Sequence, residues 1–225
     1  LYINATGTDP IDLSCIETIT GYLEIENSIA PSIDLSNVTS IGDELYIHEN
    51  DDLEAIDLSS LEVVDSYVYI YSNSSLESID LSSLEEIGSY MQIQEHSYLE
   101  DINLDALQTI GGNVYLSYNY EWKDFSAPIL EEVEGSLQIS YHWSSGIETF
   151  SAPSLTRVGS SLYFEYNYAL QEIDLSGLTG GCGFGTFAGS LLLFTLLCNV
   201  GSKGCATSSA ASAASAAACA AAEGT

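Results

Sequence analysis

The feature that most constrains this chain is that it repeats itself: from residue 1 to about residue 178 one phrase of roughly 23 residues is written eight times. Two adjacent copies, LEAIDLSSLEVVDSYVYIYSNSS from Leu53 to Ser75 and LESIDLSSLEEIGSYMQIQEHSY from Leu76 to Tyr98, share one frame without a gap. A period of this length reads as a solenoid. With the first apolar residue of each L-x-I element as origin, the rungs begin at Leu1, Leu23, Leu45, Val68, Met91, Val114, Leu137 and Leu162. Two residues on, each carries a second apolar residue, from Ile3 to Phe164, with a polar or aromatic residue between. That is the alternation of a short half-buried strand.

The rest of each rung adds further inward columns. One runs Ile11, Ile33, Ile56, Ile79, Ile102, Phe125, Phe150, Ile173, and the next runs Leu13, Leu35, Leu58, Leu81, Leu104, Ala127, Ala152, Leu175. Where the first enlarges to Phe125 and Phe150 the second shrinks to Ala127 and Ala152, which conserves volume as a close-packed interior requires. Two more columns follow, Ile16 to Leu178 and Ile19 to Val158. A rung this short cannot bury its own apolar face, so each must stack on its neighbours. Parallel stacking at about 4.8 Å per rung makes eight rungs a rod roughly 34 Å long, with open ends that are templates for another chain. The start at Leu1, already inside a rung, leads us to expect further sequence upstream.

Residues 1–178 are therefore read as the solenoid and 179–225 as a tail of different material. Gly180 to Gly185 is glycine-rich, Leu191 to Leu197 is an apolar run, and Ala206 to Ala222 is almost wholly Ala and Ser. No charged residue falls between Asp174 and Lys203, so a membrane span or anchor remnant stands beside a hydrophobic cap or assembly segment as a reading of the tail. The apolar run precedes the Ser/Ala tract, the reverse of the order in a GPI signal.

Thirty-three acidic residues against Lys123, Arg157 and Lys203 give a formal charge of −30. Nucleic acid is excluded as a partner, since phosphate binding needs clustered Lys and Arg. Cations, basic proteins and neutral glycans stay open. Three acceptor sequons, at Asn4, Asn37 and Asn73, point to an extracellular or cell-surface glycoprotein. In that compartment Cys182, Cys198, Cys205 and Cys219 of the tail are disulfide candidates, and Cys15 is a further candidate for a bond to an upstream cap or a neighbouring chain. No cysteine pair has metal-ligand spacing, so zinc is not supported there.

Several polar columns could carry chemistry. Asp12, Asp34, Asp57 and Asp80 stack as one outward ladder, where unit charges about 4.8 Å apart repel by about 1 kcal/mol in water. Relief comes from solvation or from bridging cations, Ca2+ being the candidate, and the repulsion is expected to raise these carboxyl pKa values. Paired aspartates on a β-solenoid also serve polysaccharide hydrolases and lyases. Here they recur with the repeat, whereas a catalytic site should break it, so no catalytic residue is assigned.

Thr6, Asn50, Asn73, His96, Asn119, His142 and Asn167 form a ladder at a turn, with Asn27 one place early. Asn tolerates left-handed backbone and bonds its own loop. His96 and His142 are then ladder substitutions and His48 an outward strand residue, none with a catalytic or metal role. Rungs six to eight add Tyr118, Tyr120, Trp122, Tyr141, Trp143, Tyr166 and Tyr168 near this turn. The cluster is either a glycan or partner platform or ordinary cross-rung stabilisation.

The phrase L-x-x-I-D-L-S-x-L-x-x-I-G-x-x-L-x-I-x-x-N, and especially FSAPSLTRVGSSLYFEYNYALQEIDLSGL from Phe150 to Leu178, resembles receptor L-domains and the fungal GPI-anchored cell-wall organisation proteins built from them. The resemblance covers about four-fifths of the chain. It implies an all-β, right-handed, leucine-rich-repeat-like parallel β-solenoid, secretion, N-glycosylation and no catalysis. The expected function is a non-enzymatic structural glycoprotein of a cell wall, cell surface or extracellular filament, self-assembling into a homo-oligomer or filament through solenoid ends and tail. The alternative is a recognition module that binds a glycan or protein on its aromatic face.

Overall fold

Ile, Val and Leu at every second position favour the pleated backbone, and a strand of two to six residues is as long as the repeat allows before the next bend. The structure, a computed structural model, describes residues 1–4, 7–142 and 146–179, and the backbone of Thr186–Ala188 and Thr195–Cys198. It is an all-β solenoid of parallel sheets, with no helix among the described residues. The origin residues Leu23, Leu45, Val68, Met91, Val114, Leu137 and Leu162 pair in unbroken register.

These strands make a nine-stranded sheet running from Tyr2–Ile3 to Thr186–Ala188. A seven-stranded sheet of two-residue strands runs from Thr18–Ile19 to Arg157–Val158. The remaining wall is two sheets, five strands from Ile11–Asp12 to Asp101–Asn103 and four from Asp124–Ser126 to Thr195–Cys198. The inward columns form one continuous core, with Phe125, Ala127, Phe150 and Ala152 all buried. Phe125 and Phe150 stack with centroids 4.4 Å apart.

Trp122 corrects the sequence reading. It is fully buried and belongs to the core column Ala30, Leu53, Leu76, Leu99, Trp122, Ile147, Leu170. Its ring lies 5.8 Å from that of Phe125, and its Nε1–H donates to the Asp124 carbonyl at 3.0 Å. The interruption of the third wall falls between Asn103 and Asp124, where Trp122 and Phe125 replace Leu99 and Ile102. At that rung the indole engages a carbonyl at the start of the strand Asp124–Ser126.

Past Leu178 the backbone continues the architecture. Thr186–Ala188 pairs with the strand Leu162–Glu165, and Thr195–Cys198 pairs with Glu172–Leu175, both parallel. Cys182, Cys205, Cys219 and the Ala/Ser tract lie outside the described residues. Among the described residues no helix is long and apolar enough to cross a membrane. At the other end Ile3, Ile11, Leu13 and Ile16 are only partly buried against the core, and Tyr2 is half exposed on an edge strand. Cys15 is an exposed free thiol.

Candidate functional site

The corner after the first strand concentrates the buried polar groups. Asn50, Asn73, His96, Asn119, His142 and Asn167 are at most 1 % exposed. Asn73 Nδ2 donates to the Ile47 carbonyl at 3.1 Å, and its Oδ1 accepts the Asn50 N–H at 3.1 Å and Asn50 Nδ2 at 2.9 Å. Asn119 Nδ2 donates to Ile93 O and Asn167 Nδ2 to Ile139 O, each at 2.9 Å. Each amide thus reaches back to an earlier rung rather than to its own loop, which corrects the expected geometry. The left-handed residue is the one before: Glu49, Ser72, Glu95, Tyr118, Tyr141 and Tyr166 have φ between 52° and 62°. Asn27, at φ 49°, holds that place in its rung, and buried Ser28 takes the ladder position, donating its N–H to Asn50 Oδ1 at 2.9 Å.

The two ladder histidines act as amide surrogates. His96 sets Nδ1 3.2 Å from Asn73 O and Nε2 3.3 Å from Ile70 O, and His142 sets Nδ1 2.9 Å from Asn119 O. Burial lowers the His96 pKa and pushes that of His142 down to about 4. Between about pH 6.5 and 4 the unfolded chain binds a proton at His142 that the folded chain refuses, so stability falls as pH falls through that window. The loss is on the order of 3 kcal/mol. His142→Asn, the residue the ladder uses elsewhere, should keep the fold and remove this part of the pH dependence. Urea unfolding of both proteins at pH 7 and pH 4.5 checks it, and parallel pH profiles would refute it.

The aspartate ladder has a local purpose. Oδ1 of Asp12, Asp34, Asp57, Asp80 and Asp174 accepts the N–H two residues on at 3.0 Å, and Asn103 Oδ1 does the same for Asp105. One carboxylate oxygen of each is committed to its own bend. The Ser14 hydroxyl and amide lower the Asp12 pKa, opposite to the rise expected from ladder repulsion. Asp12 therefore favours the fold above its ordinary carboxyl range and gives that up as acid protonates it.

Of the aromatic cluster, Tyr118, Tyr141 and Tyr166 stack with centroids 5.1 and 5.0 Å apart, and Tyr166 is 40 % exposed. Tyr120 and Tyr168 are half-buried beside them, Trp122 is in the core, and Trp143 lies outside the described residues. Of the sequons, Asn4 and Asn37 are exposed. Asn73 is a correction, because its amide nitrogen, the atom a glycan would occupy, is buried and bonded to Ile47 O.

Sequence reasoning missed one cluster. Glu24 and Glu26 face outward on one strand, and His48 pairs with Glu26 on the next. His48 is 8 % exposed, its ring 4.0 Å from that of Tyr46, and its Nε2 lies 3.5 Å from both Glu24 Oε1 and Glu26 Oε2. The outward position of His48 is as expected, but its burial is not; Tyr46 covers it. Glu24 also lines a shallow depression with Tyr22, Glu44, Tyr46 and Tyr67. No protein-family model, curated protein sequence or solved structure matches the chain.

Proposed function

We propose that this chain is a non-enzymatic structural glycoprotein of a cell wall, cell surface or extracellular filament, in which the solenoid is a stiff spacer. The observation that carries this reading is the destination of its recurrent polar side chains. Six corner residues buried in a ladder hold rung upon rung, and six bend residues bonded to their own backbone hold the turn within each rung. Glycans on Asn4 and Asn37 and the acidic surface keep the rod solvated, while the solenoid ends and the segment beyond Leu178 are its joints.

Small-angle scattering against concentration tests the joints. The full chain should lengthen into end-to-end rods as concentration rises, and a chain ending before Thr179 should not. A full chain that stays a single short rod at every concentration would refute self-assembly. The Tyr118, Tyr141 and Tyr166 stack favours a second reading, a module that binds a glycan or protein on that face. Under it Tyr166→Ala abolishes ligand capture and leaves the scattering unchanged.

A further inference from the structure

We infer that Glu24, Glu26 and His48 form a binding site for one divalent transition ion of the zinc class. Their ligand atoms all lie within 4.8 Å of one another. His48 Nε2 is buried and makes no hydrogen bond, although a carboxylate oxygen stands 3.5 Å away on either side. That separation is too long for an N–H···O bond, which closes to about 2.7–3.2 Å. It does match the edge of a coordination tetrahedron: metal–ligand bonds of about 2.1 Å put neighbouring ligand atoms about 3.4 Å apart.

The surroundings fix the ligands as a metal site requires. Tyr46 stacks on the imidazole at an interplanar angle of 23°, and the Tyr2 hydroxyl donates to Glu26 Oε1, which leaves Oε2 turned toward His48. Support of this kind, outside the ligand shell, holds ligands in place. Two carboxylates cancel the charge of a divalent ion, and an imidazole nitrogen selects zinc-like ions over calcium and magnesium, which take oxygen. The site also breaks the repeat. The next outward pairs on this sheet are Tyr69 with Tyr71, Gln92 with Gln94, Tyr115 with Ser117, and Gln138 with Ser140, none of which can replace the carboxylates.

Calorimetric titration of the full glycosylated chain with Zn2+, in excess Ca2+ to saturate the diffuse acidic surface, tests the inference. One strong site per chain is expected, weakened at least tenfold by His48→Gln or Glu26→Gln and kept by Cys15→Ser. Histidine NMR of the unaltered chain gives a readout independent of any variant: Zn2+ should shift the His48 ring signals and leave those of His96 and His142 in place. Zn2+ affinity unchanged in His48→Gln, His48 signals unmoved by Zn2+, or only weak surface binding would each overturn it.

Discussion

Replacing Asn73 with alanine is expected to destabilise the solenoid by about 3–5 kcal/mol, a large effect for a polar residue at a corner. The reason is what the amide leaves behind. The Asn50 N–H loses its acceptor in a buried corner, the Ile47 carbonyl and Asn50 Nδ2 each lose one bond, and a buried group left unsatisfied costs about 1–3 kcal/mol on top of the cavity. Asn50 Nδ2 keeps only its bond to Ile25 O, at 3.0 Å. The bend aspartates provide the contrast. Asp57→Asn preserves the acceptor for the Ser59 amide, as Asn103 does in its own rung, and should change stability by less than about 0.5 kcal/mol. Urea unfolding of both variants separates the cases, and an Asn73→Ala loss below about 1 kcal/mol would show that the ladder is not what holds the corner.

Trp122→Ala is expected to cost about 3–5 kcal/mol, with Phe125 losing a packing partner and the Asp124 carbonyl losing its indole donor. A surface platform residue would behave in the opposite way, with stability near that of the original chain and a ligand lost. Thermal and urea unfolding of Trp122→Ala decide between them. A loss near zero would return Trp122 to the aromatic face.

The core was largely legible because its period and volume are written into the residues themselves. Phe125 with Ala127, and Phe150 with Ala152, encode a shared cross-section that the buried core then displays. Trp122 was misread because it was placed by its distance after Asn119. Counted back from Phe125 it stands three residues before the inward column, where Leu76 and Leu99 stand before Ile79 and Ile102. The aspartates misled by spacing: their charge repeats along the rod, but the signal that explains them is the residue two places on, whose amide the carboxylate accepts. His48 was read onto the correct face, yet its burial depends on Tyr46 lying over it across a sheet, a contact no period along the chain encodes. The shift of Asn27 by one place was likewise a clue, since it occupies the left-handed position and leaves the inward one to Ser28.

Electron microscopy of the untagged chain, purified from its native source, gives the most direct test of the proposed structural role. The account predicts filaments whose axial repeat is near the length of one solenoid, roughly 38 Å for nine strands stacked at about 4.8 Å. Isolated short rods would contradict it.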